Sequence, residues 1–565
     1  MASVTKKFKK GRPYYYISQC KRVDGKPRVV YQKYLGTVDR IIERMEATEP
    51  ATPKETVLFE AGGVAALLGI ARRLGLLELI DEIVPKRNQG PSVGHYMVLA
   101  ALNRALAPCS KVEIGQWYES TILRRLWGFK KKAFSSQRFW DHMDRIDQEH
   151  IMQIQERLLE GIGEEFGVQT DVLLFDTTNF FTFIASTNAR NHLAQRGRNK
   201  QKRSDLRQVG LSLMASRAFQ VPLLHRVYAG NLNDLTVFPE AVRNLTRRYR
   251  ALLGDQTPAT LVCDRGCMAE DVMEQLAASQ VQFVCSVPSN YFPEIFATPV
   301  EDLASLEGVP GTRAQSFPVQ LWSKDCQVVL TYSESLYTQQ LDSITRQMVK
   351  CQKDLAQLQR SLQNRAQGGG RGKRPTAEST KGKVRKILSG QYLSEVIQTD
   401  VKGKKGKIPT LHYQVNHQRL AKLGRRRLGR TVLVTDQLEW EPQEVVRTYR
   451  QLARIEETFK NMKGTDFLRW QPAWHWTDQK LRVHGLYCVL ALTLVRLMRK
   501  VAHEAGEELS VPKLLEELSG IKEVALIYPE HYKKRGAGRL TNSRMSKRQL
   551  RLAKALEIGE VMAWG

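Results

Sequence analysis

Two short apolar runs, each followed directly by an aspartate, most constrain how this chain can fold. The first is 172-VLLFDTTNF-180 and the second is 260-TLVCDRG-266. Each has the length and composition of a buried β-strand, and we expect these strands to end at Asp176 and Asp264. More strand-like segments follow the first run, and a helix-prone segment and another apolar strand follow the second. Strands that alternate with helices after an initial meander predict an α/β core with a mixed sheet.

The two aspartates occupy the position at which an open α/β sheet usually has its functional site. Ligands of such sheets bind outside the carboxyl ends of the strands. A carboxylate at a strand end is also a common cap for the loop that follows. Neither Asp176 nor Asp264 alone therefore distinguishes a site from a structural role.

A third acid lies on a predicted helix, 449-YRQLARIEETFKNMK-463. Tyr449, Glu456 and Lys463 are seven residues apart, so at about 3.6 residues per turn they share nearly one helical face, with Lys460 at its margin. By itself this pattern is typical of an amphipathic helix whose polar side faces water. Together with the two strand-end acids it predicts a site.

Three carboxylates that converge repel one another unless a cation offsets their charge. Mg²⁺ and Mn²⁺ prefer carboxylate and water oxygens as ligands. Two such ions about 4 Å apart activate a water or a 3′-hydroxyl on one side of a phosphodiester and stabilise the leaving oxygen on the other. The three acids therefore predict metal-dependent phosphodiester chemistry.

The net charge of the chain indicates a polyanionic partner. Lys and Arg number 87 against 58 Asp and Glu, a formal charge of +29, and basic residues occur in nearly every segment. Nucleic acid is the commonest such partner for a large protein of this charge. A basic proteome or a ribosome-associated role would give the same balance.

Cysteine usage and hydropathy indicate the cellular setting. Eight cysteines without regular spacing argue against a disulfide framework and predict a reducing, cytoplasmic location. If the polyanionic partner is DNA, the protein is expected to be associated with the nucleoid. The charged N-terminal segment lacks the apolar core of a signal peptide. The longest apolar run, 485-GLYCVLALTLV-495, is shorter than a bilayer span and predicts a buried helix. No membrane role is expected.

Changes of pattern divide the chain into six predicted segments. The first contains two β-prone runs joined by Asp24-Gly25, a strong hairpin signal. The six segments are a basic β-rich segment (1–55), a helical DNA-binding domain (56–165), the first part of a catalytic core (166–300), an insertion (301–440), the second part of the core (441–500) and a basic C-terminal region (501–565).

The 301–440 insertion has signals of its own. Apolar residues spaced three and four apart from Leu341 to Leu362 predict a coiled-coil seam, packed either on another helix of the chain or on a second copy. A Gly-rich basic linker follows at 367–383. We expect the insertion to carry much of the nucleic-acid contact, with a second basic edge in the helical domain. The candidate contacts in these two regions are Arg425, Arg426, Arg427, Lys130, Lys131 and Lys132.

Around its acids the sequence resembles the DDE transposases of the insertion-sequence-4 group, and most of all their insertion-sequence-1634 branch. FDTTNF and VCDRG resemble the two aspartate motifs of that branch. The helix motif of the group is Tyr, two residues, Arg, three residues, Glu, six residues, Lys. Tyr449, Glu456 and Lys463 match it by spacing, whereas Leu452 stands where Arg is expected. The resemblance spans roughly residues 10–500.

The resemblance implies a fold and a catalytic triad. The implied fold is α/β, a ribonuclease-H-like catalytic core interrupted by a large insertion, with an N-terminal β-hairpin and helical domain. Asp176, Asp264 and Glu456 become the catalytic and metal-binding acids, with two Mg²⁺ or Mn²⁺ ions per site.

The same resemblance implies DNA contacts around the glutamate helix. Tyr449 and Lys463 are expected near the scissile phosphate, Lys463 as a point charge on a phosphate oxygen. Lys460 lies on the same face. Arg454, or Arg450, is expected to supply the positive charge that is missing at Leu452.

The implied enzyme is a DNA transposase. It binds the terminal inverted repeats of its own element, cleaves them by hydrolysis and joins the 3′-hydroxyl ends to target DNA, as a homodimer on double-stranded DNA. One alternative is a metal-dependent nuclease of the same fold that cuts without strand transfer. Another is a domesticated, non-catalytic DNA-binding protein, against which the acidic triad argues.

An aromatic and imidazole cluster follows the predicted catalytic helix. A packed core is the default interpretation, and the alternative is stacking of a tryptophan on a flipped base near a cleaved end. The members of the cluster are Trp470, Trp474, His475, Trp476 and His484.

Overall fold

The computed structural model describes most of the chain and divides it into two compact units. The smaller unit comprises Met1–Ala61 with Gly520–Met545, and the larger comprises Gly62–Ser519 with Ser546–Gly565. The described residues are 2–23, 26–46, 52–86, 89–185, 187–199, 203–232, 236–240, 243, 259–264, 274, 276, 281–370, 372–404, 406–464, 467–528 and 538–562.

Parts of three predicted features lie outside the described residues. They are the Asp24-Gly25 turn, most of the helix-prone segment after the second aspartate, and Arg371 of the Gly-rich linker.

The smaller unit contains two three-stranded antiparallel sheets. The first consists of β1 (Ala2–Lys9), β2 (Arg12–Val23) and β3 (Lys26–Gly36), followed by helix α1 (Val38–Glu46). The second consists of β4 (Glu55–Glu60), β16 (Lys522–Ile527) and β17 (Gly538–Asn542) in the order β17-β16-β4. Strand β1 was not predicted, because its lysine-rich sequence has little β-propensity and it is held by its pairing with β2.

Helices fill the larger unit from Gly62 to Phe166. The most completely buried is VGHYMVLAALNRAL, which the Ser92 side chain caps by accepting a hydrogen bond from the His95 N–H at 3.3 Å. The helices are α2 (Gly62–Arg73), α3 (Leu76–Ile83), α4 (Val93–Leu106), α5 (Ile114–Glu119), α6 (Leu123–Trp127), α7 (Ser136–Met143) and α8 (Gln148–Phe166), with a 3₁₀ turn at Lys131–Phe134.

A nine-stranded mixed sheet forms the centre of the larger unit. Its order is β10-β11-β12-β15-β9-β8-β5-β6-β7, in which β5, β8 and β9 pair in parallel and the other neighbours are antiparallel. The predicted α/β core with a mixed sheet is confirmed. The strands are β5 (Val172–Thr182), β6 (Arg207–Ser216), β7 (Pro222–Ala229), β8 (Thr260–Cys263), β9 (Gln282–Val287), β10 (Ala304–Ser305), β11 (Thr312–Leu321), β12 (Lys324–Ser333) and β15 (Arg430–Thr435).

The 301–440 interval contributes four strands, β10, β11, β12 and β15, to this sheet. Helix α9 (Pro293–Phe296) and a 3₁₀ turn (Val300–Asp302) precede them. The chain leaves the sheet after β12 and returns at β15, which pairs with β12. The residues between them are called the inserted segment (334–429). It contains α10 (Glu334–Ala366), α11 (Ala377–Ile387), α12 (Leu393–Val396), β13 (Ile397–Lys402), β14 (Thr410–Val415) and α13 (His417–Arg427).

The predicted coiled-coil seam lies on α10 and is covered by the inserted segment itself. Ile344, Met348, Leu355 and Leu362 are buried in one apolar cluster with residues of α11, α13 and the β13-β14 hairpin. Of the two predicted arrangements, packing within the chain is therefore the one observed. The periodicity could not separate them, because it shows which face is buried but not what buries it.

The remaining helices complete the larger unit. They are α14 (Pro442–Arg450), α15 (Leu452–Lys463), α16 (Asp478–Glu504), α17 (Val511–Ser519), α18 (Lys547–Ala555) and α19 (Ile558–Met562). Helix α16 contains the long apolar run and packs against α4 and β7. By length and composition it passes as a membrane span, but 94% of its apolar window is buried inside the structure. The predicted buried helix is confirmed, although it is 27 residues long and so longer than the apolar run suggested.

Replacing Leu355, which is fully buried in the α10 seam, tests what covers that seam. Leu355→Ala should cost about 2–5 kcal/mol of local stability because it leaves a cavity. We expect faster amide hydrogen exchange in α10, α11 and the β13-β14 hairpin. The control is Gln357→Ala on the exposed side of α10. If the variant instead shifted a dimer to monomer with unchanged exchange, the seam would join two copies.

Candidate active site

Asp176 lies in the middle of β5 rather than at its end. The strand continues to Thr182 because its second half pairs with β6, Asp176 opposite Leu213 and Thr182 opposite Arg207. The predicted strand end at Asp176 is therefore wrong. The parallel neighbour β8 ends near Asp176, because its last residue paired with β5 is Val262. The half-buried Asp176 carboxylate accepts a hydrogen bond from the Thr177 N–H at 2.7 Å.

Asp264 follows β8 directly, as predicted, and is exposed. Leu174 pairs with Val262 in the parallel register, so Asp176 and Asp264, two residues further on each strand, come level with each other. Adjacent strands lie roughly 4.8 Å apart. The register therefore brings two of the three predicted acids together.

Two side chains hold the Asp264 carboxylate. The Ser286 hydroxyl on β9 donates a hydrogen bond to Asp264 Oδ1 at 2.9 Å, and the Tyr449 hydroxyl on α14 donates to the same oxygen at 3.0 Å. Tyr449 thus meets the acid directly, which its spacing alone did not predict.

The predicted single helix from Tyr449 to Lys463 is two helices with a one-residue junction. Helix α14 ends at Arg450 and α15 begins at Leu452. Gln451 between them keeps helical backbone angles (φ −64°, ψ −22°). The Gln451 N–H bonds the Thr448 carbonyl, and the Arg454 N–H bonds the Gln451 carbonyl. These hydrogen bonds span three residues instead of the four of an α-helix, so the backbone is tighter at the junction. The two helices nonetheless present their polar residues to the same sheet.

The far end of α15 is fastened to β5. Lys463 Nζ donates a hydrogen bond to Thr178 Oγ1 at 2.5 Å and lies 5.5 Å from the centre of the Phe180 ring. In a strand, Asp176, Thr178 and Phe180 point to the same face. Lys463 therefore lies on the side of β5 that carries Asp176.

Glu456 lies between these two attachments, seven residues from Tyr449 and seven from Lys463. That spacing corresponds to about 10.5 Å of helix on each side. Its side chain is exposed on a helix that packs against β5. Among the described residues, no three His, Cys, Asp or Glu side chains are gathered closely enough to hold a metal ion. The two aspartates are thus brought together, whereas Glu456 is brought only to the same region.

The Tyr449 phenol stays protonated throughout the usual pH range. Burial, and then the negative charge of the neighbouring Asp264 carboxylate, raise the pKa of Tyr449 far above its ordinary value. A neutral phenol donates a hydrogen bond but is a poor nucleophile. The hydrogen bond from this neutral phenol to Asp264 fits an orienting role for Tyr449.

The family is decided by a match over residues 181–492, more than half of the chain, to the model described as "Transposase DDE domain". The chain belongs to this transposase family. Proteins of this family are enzymes that act on DNA. The matched residues include Asp264 and Glu456 and begin five residues after Asp176.

Two other comparisons add little. No curated protein matches the chain. Among solved structures, it is similar to a chain of the "piggyBac transposase synaptic complex with hairpin DNA", determined by cryo-electron microscopy. The identity is 11%, the TM-score is 0.35, and the match covers 80% of this chain and 79% of that one.

Leu452, where the resemblance expects arginine, is buried in this transposase. Arg450 donates a hydrogen bond to Thr312 Oγ1 at 2.8 Å and is thereby tied to β11. Arg454 is exposed but is turned roughly 200° around the helix from Glu456. It lines a shallow pocket with Arg217 and Arg447. Lys460, which is exposed and turned only about 40° from Glu456, lies together with Lys463 on the helix face that carries Glu456.

The other predicted DNA contacts lie on exposed surface. Lys130, Lys131 and Lys132 are exposed at the 3₁₀ turn, where Lys131 bonds the Gln116 side chain. Arg425, Arg426 and Arg427 end α13 in the inserted segment. Arg427 is paired with Glu395 at 3.1 Å. Their contact with DNA stays a prediction.

The aromatic and imidazole cluster divides between core and surface. Trp470, His475 and His484 are buried, and the two imidazoles lie 2.9 Å apart, nitrogen to nitrogen. Burial lowers the pKa of both histidines well below the ordinary value, so both are neutral. Trp474 and Trp476 are 57% and 61% exposed. The core interpretation therefore holds for three members and not for the two outer tryptophans.

Ser286 is a residue of the site that the sequence did not predict. It is the residue after Cys285, which pairs with Cys263 across β9 and β8, so it lies beside Asp264. A polar residue near the end of an apolar strand, in the run QFVCSVP, was the available signal. Recognising it required knowing that β8 and β9 are neighbours.

Removing the Tyr449 hydroxyl tests whether it orients Asp264. Tyr449→Phe deletes one hydrogen bond to a charged group, which contributes about 1.5–3 kcal/mol. If that bond acts in the transition state, DNA cleavage should slow by about tenfold to a hundredfold.

The control for this experiment is Tyr413→Phe, which removes another hydrogen-bonded phenol, in the inserted segment. Cleavage by that variant should match the unsubstituted protein. Equal rates for Tyr449→Phe and the control, measured by single-turnover cleavage, would contradict the orienting role.

Proposed function

We propose that this transposase cuts the ends of its own element by metal-dependent phosphodiester hydrolysis and joins the 3′-hydroxyl ends to target DNA. Asp176, Asp264 and Glu456 are the catalytic acids of this proposal. The corresponding fold is a ribonuclease-H-like core interrupted by the inserted segment, and the corresponding group is the insertion-sequence-4 group, insertion-sequence-1634 branch.

One observation carries the proposal. Tyr449, next to the α14–α15 junction, bonds Asp264 at the end of β8, and Lys463, at the far end of α15, bonds Thr178 on β5, so both ends of α15 lie beside attachments to the two neighbouring strands. Glu456 is midway between those attachments. If the two helices only covered the sheet, apolar packing would be sufficient. The two polar attachments, both close to the neighbouring carboxylates of Asp176 and Asp264, therefore favour a functional role.

The donor chemistry of the three acids fits a hard divalent cation. All three supply carboxylate oxygens, the ligands that Mg²⁺ and Mn²⁺ prefer. Asp176 and Asp264 lie on paired strands, and Glu456 lies on the helix that packs on β5. When bound, one or two such ions would activate the attacking oxygen and stabilise the leaving oxygen.

The surrounding side chains have defined tasks in this proposal. Ser286 and Tyr449 both donate hydrogen bonds to Oδ1 of Asp264 and thereby fix the orientation of its carboxylate. Lys463 brings a positive charge to β5 two residues beyond Asp176, where it would attract a phosphate of the bound strand. Lys460 adds a second positive charge on the face of α15 that carries Glu456.

Double-stranded DNA is the partner that the charge distribution favours. The inserted segment carries 21 Lys and Arg against 6 Asp and Glu, about half of the net charge of the chain. We propose that the protein acts as a homodimer on paired element ends. Because the α10 seam is covered within the chain, the dimer contact must lie elsewhere.

Asp264→Asn tests the catalytic assignment. The amide keeps the shape and one acceptor oxygen for Ser286 and Tyr449, but it loses the charge that holds a cation. A loss of several kcal/mol of transition-state stabilisation corresponds to about a thousandfold or more in rate. The control is Asp342→Asn on exposed α10.

The readout is cleavage and joining of the DNA on either side of the coding region, with Mg²⁺. Full activity of Asp264→Asn would contradict the assignment. An unsubstituted protein that cuts but never joins would be a nuclease, and one that binds DNA without cutting would be a domesticated DNA-binding protein.

A further inference from the structure

The connection between β5 and β6 is long for two antiparallel neighbours. It spans residues 183–206, whereas hairpin loops usually contain two to five residues. Loops longer than about 12–15 residues without secondary structure are uncommon and are often functional. We call residues 183–206 the β5–β6 loop.

The first half of the loop is fastened to the start of α16. Asp478 Oδ1 accepts hydrogen bonds from the His192 and Leu193 backbone N–H groups, both at 2.8 Å. Asn188 Nδ2 donates to the Trp476 carbonyl oxygen at 2.9 Å. Asn188 is itself 7% exposed, so this is a buried polar attachment.

The second half is fastened to the end of the sheet. Gln208, which is fully buried, donates from Nε2 to the Gly230 carbonyl oxygen at 2.7 Å and to the Arg198 carbonyl oxygen at 3.1 Å. The Gln195 and Gln208 backbones exchange hydrogen bonds at 3.0 and 2.8 Å. Contacts therefore hold the described residues of the loop at two places, at 188–193 and at 195–198.

The attached loop presents arginines outward. Arg190, Arg196 and Arg198 are exposed, and among the described residues no carboxylate lies within ion-pair distance of them, although the charge of Arg196 acts on Asp205. Asp205, the only acid in the sequence of this loop, is instead held by Arg203 in two hydrogen bonds of 2.8 and 2.7 Å. Six basic residues in 24 leave a net charge of +5 in the sequence of the loop.

The position of the loop relative to the acids follows from the strand. Thr182, the last residue of β5, is six residues beyond Asp176, which is about 20 Å at 3.3 Å per residue. Lys463 lies between them, at Thr178. One positive group, Lys463, thus lies along the strand between the acids and the arginines of the loop. At about 3.4 Å per base pair, 20 Å corresponds to roughly six base pairs of duplex.

We propose that the β5–β6 loop is a DNA-backbone contact surface, in which Arg196 and Arg198 bind phosphates roughly six base pairs from the cleaved bond and Asp478 holds the loop in place. This rests on the proposed function in taking Asp176 and Asp264 as the point of cleavage. The contact is to phosphates, because exposed arginines on a fixed irregular loop present charge without a helix or strand to enter a groove.

The salt dependence of DNA binding measures this contact directly. Each phosphate neutralised contributes about 0.9 to the slope of log K against log salt concentration. The double variant Arg196→Ala, Arg198→Ala should reduce the slope by about 1.8. The probe is a duplex taken from the DNA directly outside the coding region, without divalent metal.

The matched control is Lys547→Ala with Lys554→Ala, which removes the same charge from exposed positions on α18. We expect the salt slope of this lysine variant to equal that of the unsubstituted protein within experimental error. In hydroxyl-radical footprinting, only the arginine variant should lose protection of the DNA roughly six base pairs from the cleaved bond. Equal slopes in the two double variants would overturn the proposal.

Asp478→Ala separates the attachment from the contact. It should speed amide exchange at His192 and Leu193 and reduce the binding slope partway. Unchanged exchange there would contradict the positioning role of Asp478. Because binding is measured without metal, the salt slopes and the amide exchange are independent of catalysis, and only the footprint refers to the cleaved bond, which is mapped separately with Mg²⁺. If the unsubstituted protein binds DNA but never cleaves it, the proposed function is contradicted. If the unsubstituted protein cleaves DNA but the double arginine variant keeps the same salt slope, only the present proposal is contradicted.

Discussion

The parallel pairing of β5 with β8 is the constraint on which the candidate site depends. Leu174 lies opposite Val262, and two residues further along each strand this register brings Asp176 and Asp264 level. A slip of one residue would turn one carboxylate to the opposite face of the sheet, because side chains alternate with a period of two. Neighbouring strands on both sides hold the register. Strand β6 pairs with β5 over ten residues, and β9 pairs with β8 and contributes Ser286.

The helix pair α14–α15 depends on that register. Tyr449 and Lys463 reach two different strands, and both contacts form only if β5 and β8 have the observed offset. The tight backbone at Gln451 lets the chain turn slightly between the two contacts while both helices keep packing on the sheet. Sheet, junction and polar contacts together determine which way Glu456 faces. The buried Leu452 also fits this arrangement, since an arginine at that position would have to be desolvated.

The sequence predicted the individual strands and helices of the site, because these depend on patterns of neighbouring residues. The apolar runs showed where buried strands begin, and the spacing of seven placed Tyr449, Glu456 and Lys463 on one helix, which the structure divides at Gln451 into α14 and α15. The extension of β5 beyond Asp176 was missed, because it is produced by pairing with β6 and the polar run 177-TTN-179 does not reveal it. Ser286 and the partner of the α10 seam were missed or left open for the same reason. Each depends on which elements become neighbours, and a single sequence carries little information about pairing.

The inserted segment leaves and re-enters the central sheet without interrupting its strand pairing. Ser333 and Gly429 meet through a backbone hydrogen bond of 2.8 Å, so the segment leaves and re-enters the sheet at one place. Its apolar residues form a cluster of their own, and the sheet keeps the β12–β15 pairing. The pairing of β12 with β15 therefore sets the two ends of the inserted segment. The strands β10, β11, β12 and β15, which lie within the predicted 301–440 insertion, belong to the central sheet.

The convergence of the three acids on one metal position is tested most directly by iron-induced cleavage of the protein chain. Fe²⁺ in place of Mg²⁺, with ascorbate and peroxide, generates radicals that cut the backbone close to the bound ion. The account predicts cuts clustered near Asp176, Asp264 and Glu456 together, all suppressed by excess Mg²⁺. Cuts near only one of these residues, or at unrelated positions, would contradict it.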